Sequence, residues 1–395
     1  MKNVIFLLVF AISCSQTSEV SYVDDTVEAD IKSFNNDFAF LLFDKESLQK
    51  GRENILISPF SIQTALSMAA NGASGNTLLE MKDFFGFGNE TIGTLNASYV
   101  DLLGKLQQAS SANTSVLSNN SFFYDNKRLQ LLDGYKSLLE DQYNCHFKEY
   151  DFDAIQPSVD AMNGWIKETT NGKIDKLIST IKQDDIAFLI NTLFFKAGWS
   201  SKFYEPRDDK FTNADGTIIT TPFIYRDAAV PYYKGENYEI ADVPFRDSTF
   251  SLSVVKPTNK ATVIPFSKSV YDALLPNLKY DRLFIGLPKM HLSYKNDLVS
   301  SLKLLNIKDA FNDNADFTKL GTASNTIYIS QIQHQAVLEV DEEGVEGAAA
   351  TAIGFAVTSA PPSIVYNEPF YLILRHIETN TILFIGKVNQ NPLGN

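Results

Sequence analysis

Ile186-Ala-Phe-Leu-Ile-Asn-Thr-Leu-Phe-Phe195 is the stretch on which the architecture turns. It is apolar except at Asn191 and Thr192, and rich in aromatic and β-branched residues. Ile190, Phe194 and Phe195 suit a strand buried on both faces better than a helix, which predicts a central strand of a large sheet. Upstream the pattern is helical. Ile31, Phe34, Phe38 and Leu41 recur at helical spacing and predict a helix over about residues 24–50. Ser58 before Pro59 is an N-cap followed by the proline that suits a first turn, with Ile62, Leu66 and Ala69 continuing the apolar face. Thr77-Leu-Leu-Glu80 has the capping-box form that opens a short third helix. Downstream, strand-like runs take over at 250–255, 283–287, 327–332, 336–340, 370–374 and 382–385. No Pro/Gly/Ser-rich linker or repeat divides the halves, so the chain reads as one α+β domain with large mixed sheets.

The chain of 395 residues carries a formal net charge of -13, with no basic run. That argues against nucleic acid or an anionic membrane as partner, since both require a basic surface. Lys2, the apolar residues 4–12, and the small residues Ala11, Ser13 and Ser15 have the form of an export signal over residues 1–15, leaving a domain of residues 16–395. No apolar stretch approaches the roughly 20 residues of a membrane helix, so a soluble, secreted, extracellular protein is expected. Cleavage after Ser15 removes Cys14 and leaves Cys145 alone between Tyr143 and Phe147, which suits a buried apolar role. Four N-x-Ser/Thr sequons, at Asn89, Asn96, Asn113 and Asn119, suggest one glycan-bearing face.

Motifs for catalysis are missing. The four histidines, His146, His291, His334 and His376, form no H-E-x-x-H, and there is no C-x-x-C, P-loop, G-x-S-x-G or complete dinucleotide loop. Neither a metal nor another cofactor is expected, nor an enzyme.

The chemistry-bearing segment lies near the C-terminus. After the strand at 336–340 come Asp341, Glu342, Glu343 and Gly344, then Val345-Glu-Gly-Ala-Ala-Ala-Thr-Ala352 and Ile353-Gly-Phe-Ala-Val-Thr-Ser-Ala360. Glycine and threonine interrupt any helix, and no proline occurs before Pro361. At period two, Val345, Gly347, Ala349, Thr351, Ile353, Phe355 and Val357 form an uncharged face, while the single charge, Glu346, falls on the other. Such a segment suits insertion between two strands, where a proline would break the ladder and an inward charge would carry a desolvation penalty. By itself it reads equally well as a flexible surface loop.

Several motifs occurring in order resolve that choice: Asn54-Ile-Leu-Ile-Ser-Pro-Phe-Ser61, Asn191-Thr-Leu-Phe-Phe-Lys-Ala-Gly-Trp199, Leu287-Pro-Lys-Met290, His334-Gln-Ala-Val337, Glu342-Glu-Gly344, Asn367-Glu-Pro-Phe370 and Phe384-Ile-Gly-Lys-Val388. From about Asp24 to Pro392 the chain resembles the serpin family. The resemblance implies three β-sheets wrapped by eight or nine helices and an exposed reactive-centre loop, residues 344–361. It also implies that a protease cuts that loop, forms an acyl-enzyme, and is trapped as the loop enters the main sheet as a new strand. The family pattern puts the hinge at Gly344, Val345, Glu346, Gly347, Ala348, Ala349, Ala350 and Thr351, and the scissile bond at Thr358-Ser359. It puts Ser58, Ser61, Asn191 and His334 in a polar shutter under the sheet, and Trp199 at the breach where insertion begins. Val345 stands where Thr or Ser is common and Gly347 where Ala is usual, and the glycine is expected to slow insertion.

No Lys or Arg lies between Ala348 and Ala360, which argues against a trypsin-like target. Thr358 suits a shallow elastase-like pocket, so a serine protease ranks first. Val357 suits a papain-like cysteine protease, which ranks second. The rival readings are a non-inhibitory serpin acting as carrier or chaperone, and an inhibitor activated by a glycosaminoglycan. The hinge lacks inward charge and proline, against the first. Residues 90–110 offer only Lys105 against Glu90 and Asp101, so no heparin activation is expected. A monomer is the default state.

Overall fold

The structure is a computed structural model that describes residues 25–87, 90–258, 265–345 and 361–394. The export signal expected at 1–15, the sequon residue Asn89, the expected hinge residues Glu346 to Thr351 and the expected scissile bond Thr358-Ser359 lie outside these residues.

Eight helices are present among the described residues: α1 Asp25–Lys50, α2 Pro59–Gly72, α3 Gly75–Phe84, α4 Ile92–Gln108, α5 Asp133–Tyr143, α6 Ile155–Thr169, α7 Lys268–Leu274 and α8 Val299–Leu304. Ser58 caps α2 as its sequence predicts, its hydroxyl accepting from the Ser61 N–H at 3.4 Å with Pro59 in the first turn. On α1 the buried stripe runs through Phe38, Ala39, Leu42 and Phe43, whereas Leu41 is half exposed. The capping box at Thr77 does not form. α3 starts three residues earlier, with Ser74 in the N-cap place of Thr77, and Glu80 instead accepts from the Lys308 and Asp309 N–H groups at 2.8 and 2.9 Å. A carboxylate that resembles a local cap is thus used to hold a distant turn.

Seventeen strands are present among the described residues, in chain order: β1 Ile55–Ile57, β2 Thr114–Tyr124, β3 Leu129–Leu131, β4 Cys145–Glu149, β5 Ala187–Gly198, β6 Arg207–Thr212, β7 Ile218–Lys234, β8 Tyr238–Pro244, β9 Phe250–Pro257, β10 Lys279–Pro288, β11 Met290–Asp297, β12 Gly321–Ala323, β13 Gln333–Val340, β14 Gly344–Val345, β15 Ser363–Val365, β16 Phe370–His376 and β17 Ile382–Val388. Nine of them form one continuous sheet, ordered β1-β17-β16-β9-β8-β7-β10-β15 with β6 on β7. β17 is buried at every position, as its apolar run requires.

The second large sheet is divided. One part is ordered β14-β5-β2-β4, and the other pairs β11 with β13. A two-stranded ribbon joins β3 and β12. Along 187–197, β5 pairs with β2, but on its other side, among the described residues, it meets only the two residues of β14. The central strand read from the sequence therefore has a largely open edge. The strand expected at 327–332 is absent, since those residues border the same opening and have no ladder partner there. Nearly fully buried, α2 packs between β5 and β17. Cys145, on β4, is buried and its thiol is pushed up to about 12 by burial, as suits an inert core residue.

Candidate functional site, an open slot in the divided sheet

Between β5 and β13 lies a cavity of about 890 Å³. Ser61, Ile62 and Leu66 of α2 line its back, and Ile174, Leu177 and Ile178 after α6 line its front. The odd-numbered side chains of β5, such as Phe195 and Ala197, join the large core behind the sheet; Phe188 and Ile190 join a smaller core under α6. A strand entering the slot would meet an apolar layer on each face, and along one edge the backbone N–H and C=O groups of β5 that no described strand pairs below β14.

The upper end is occupied by β14. Gly344 pairs with Gly198 and Val345 with Ala197, antiparallel. Val345 is buried in the core. A Cβ on Gly344 would lie 2.2 Å from the Ala197 carbonyl oxygen, and its φ of +151° is one that side-chain-bearing residues rarely adopt, so glycine is required there. The Asp341 carboxylate accepts from the Glu343 and Gly344 N–H groups at 2.9 and 3.0 Å and fixes the turn that reverses the chain. Trp199 closes this end: its indole N–H donates to the Asp341 carbonyl at 2.8 Å, its backbone N–H to that of Glu343 at 3.0 Å, and its ring stacks on Phe245 at 4.7 Å. Glu342 pairs with Lys289 at 2.9 Å, and Glu343 with Lys202.

Midway down, the polar residues assemble. The Ser58 N–H donates to His334 Nε2 at 3.2 Å, and Ser61 Oγ donates to the Asn191 carbonyl at 3.4 Å. Asn191 donates to Ser118 and Asn120 at 3.0 and 2.8 Å, while its own Oδ1 is buried with no hydrogen-bond partner among the described residues. Burial lowers the His334 pKa to about 4. The neutral ring, with its proton on Nδ1, is the form that accepts from Ser58.

The base of the slot is clasped by buried Asp185, which accepts from the Lys182 N–H and from Ser330 Oγ, both at 2.8 Å. Over the front, Lys173 pairs with Glu339 of β13 at 2.7 Å, and Lys295 donates to the carbonyls of Lys176 and Leu177 at 3.0 and 2.8 Å. Sequence reasoning missed Asp185, Lys202, Lys289 and the Lys173–Glu339 pair. Each acquires its role from a partner at least 53 residues away, except for the local Lys182 bond of Asp185, and no local pattern marks them.

The residues Ser58, Ser61, Asn191, His334, Trp199, Gly344 and Val345 thus lie along one feature. The sequons separate. Asn96 is 2 % exposed, hydrogen-bonded to Asn71 and Tyr143, and the folded chain has no room for a glycan there. Asn113 is exposed and Asn119 half-buried. No group of three or more His, Cys, Asp or Glu side chains poised for a metal occurs among the described residues, and none of the helices is long and apolar enough to cross a membrane.

Residues 33–391 match the family Serpin (serine protease inhibitor), and the chain belongs to that family. Iripin-2 of Ixodes ricinus is 28% identical over 380 residues, covering 92% of this chain and 94% of the relative. The thermophilic serpin tengpin in its native state superposes with a TM-score of 0.83 at 27% identity, covering 93% of this chain and 95% of that one. Human thyroxine-binding globulin superposes with a TM-score of 0.84 at 25% identity, covering 93% and 100%. Family membership brings the serpin fold, in a family made up mostly of protease inhibitors.

Proposed function

We propose that the protein is a secreted, monomeric inhibitor that traps a protease by inserting its cleaved loop into the slot. The observation that carries this reading is the pairing of Gly344 and Val345 with β5 at the top of an opening between β5 and β13 that none of the described strands fills. Continued residue by residue, that register sets Gly347 opposite Phe195, Ala349 opposite Leu193, Thr351 opposite Asn191, Ile353 opposite Leu189 and Phe355 opposite Ala187. These are the uncharged positions, and they fall on the core face that Val345 already occupies. Small stands against large at Gly347 and Phe195, and again at Ala187 and Phe355. Thr351 would bring a hydroxyl to the unpartnered Asn191 Oδ1 beside His334. Glu346 falls opposite Lys196, so the loop's single charge has a cation facing it.

Ten positions of β5, residues 187–196, would receive loop residues 346–355, which carries an acyl group on Thr358 past the end of the strand. The trap is kinetic: insertion must distort the protease before water cleaves the acyl bond. An elastase-like serine protease is the first target class and a papain-like cysteine protease the second. Heparin is not expected to accelerate the reaction, because Lys105, the one basic residue of α4, is paired with Asp101 at 2.9 Å. Mixing the protein with pancreatic elastase, chymotrypsin, trypsin and a papain-like protease tests the reading. A complex that survives SDS gel electrophoresis, with cleavage mapped to Thr358-Ser359, is the expected result. Cleavage without any complex across the panel would replace the inhibitor by a carrier or chaperone.

A further inference from the structure

We infer that Asn119 carries an N-linked glycan whose first sugar lies in a groove beneath the C-terminal end of α6; this rests on the proposed secretory route but not on inhibition. Side chains alternate along β2. Asn120 points inward, where its amide donates to the Tyr143 carbonyl at 2.7 Å, so Leu117 and Asn119 point to the opposite, α6-bearing face. There they help to line an open groove of about 640 Å³, together with His146, Trp165, Glu168 and Phe194. Leu117 is 50% exposed on the floor of that groove, an apolar strand residue that no part of the described protein covers.

The size of the groove falls within the roughly 300–1,000 Å³ of small-molecule sites, and its lining mixes the aromatic rings of Trp165 and Phe194 with a few polar groups. The Trp165 ring meets Phe123 edge-on at 5.4 Å, which anchors the indole while its remaining surface borders the groove. A pyranose has an apolar face for an aromatic ring and hydroxyls for an imidazole and a carboxylate, here His146 and Glu168. What selects a sugar over any other ligand is the floor: Asn119-Asn120-Ser121 is a complete acceptor sequence, so the occupant would be tethered by a covalent bond. Glycosylation precedes folding. The Asn119 amide nitrogen attacks the anomeric carbon of a polyisoprenyl-diphosphate oligosaccharide; an N–C bond forms, the C–O bond to the diphosphate breaks, the amide loses a proton, and the polyisoprenyl diphosphate departs. No oxidant or reductant is involved.

The full chain, expressed with its own leader in a eukaryotic secretory host, can be peptide-mapped by mass before and after peptide:N-glycosidase treatment. Asn113 serves as an internal control, since it is exposed. Asn119 should be occupied, and its glycan should be released from the native protein at least tenfold more slowly than any on Asn113, with full release from both after denaturation. Trp165→Ala should bring the native rate for Asn119 up toward that of Asn113. Glu168→Ala, at an exposed position, provides the same test with little risk to folding. Asn113 occupied and Asn119 bare would overturn the proposal while leaving the secretory reading intact, and both sites bare would overturn the two together. Equal release of the two native glycans would overturn the groove as the sugar's seat.

Discussion

The two large sheets of this protein are built from similarly apolar strands and end in opposite conditions. In the nine-stranded sheet β16 and β17 pair along their length from Phe370 and Val388, and nearly every residue on both faces is buried. In the divided sheet β5 and β13 alternate between buried and half-buried residues, with a cavity of about 890 Å³ between them below β14. The difference is where ladder bonds have been left unmade. Among the described residues, β5 and β13 have no ladder partner on their facing edges below β14, beside a cavity lined by both apolar and polar side chains; under the proposed function, a strand of the right pattern would supply that partner.

Substitution at the top of the slot is expected to have the largest effect. Gly344→Ala sets a Cβ against the Ala197 carbonyl, in a backbone conformation that itself costs about 1–3 kcal/mol for other residues. The hinge should leave its seat, and inhibition of a responsive protease should drop at least tenfold, with cleaved free loop accumulating. Unchanged stoichiometry would show that the β14 pairing plays no part in insertion.

Next comes His334, which joins β13 to the cap of α2. Its folded pKa, about 4, lies below the ordinary 6.5. Between those values the unfolded chain binds the proton and the native state does not, so stability is complete above pH 6.5 and declines as pH falls toward 4. The full difference is about 3 kcal/mol. Denaturant melts at pH 7 and 4.5 should therefore differ more for the native protein than for His334→Gln, whose amide accepts from Ser58 without titrating. Parallel pH profiles would remove His334 from the account.

At the base, Asp185→Ala leaves the Lys182 N–H and Ser330 Oγ without an acceptor and should cost about 2 kcal/mol in equilibrium unfolding. The smallest effect is expected at Gly347. Alanine is favoured over glycine in an ordered strand by roughly 0.5–1 kcal/mol, so Gly347→Ala should speed insertion by about two- to fivefold in stopped-flow measurement. Slower insertion would instead indicate that the Phe195 ring fills that position.

Much of the fold was legible in local pattern. The Ser58-Pro59 cap, the strands at 250–255 and 382–385 and the burial of Cys145 follow from residue type and spacing. The strand at 186–195 was legible too, but not its open edge. Thr77 and Glu80 misled because a capping box in sequence has the same form whether or not its two residues meet. The run at 327–332 has strand composition but faces an opening, and a ladder needs a partner. In the slot, Ser58, Ser61, Asn191, His334 and Trp199 were reached through family resemblance, whereas Asp185 and the lysines opposite Glu339, Glu342 and Glu343 were not reached at all.

By itself the sequence determined the alternation that makes the segment after Glu343 uncharged on one face, and the length and apolar character of the strand that would receive it. Both are properties of a single stretch of chain at period two. Only the tertiary structure decided that β5 and β13 stand apart and that Gly344 and Val345 already occupy the upper end of the gap. It also decided which sequon lies buried in the core and which opens into a groove. Those outcomes depend on contacts such as Ser58 with His334, 276 residues apart. The free energy of such contacts depends on how the whole chain packs, which no local pattern encodes.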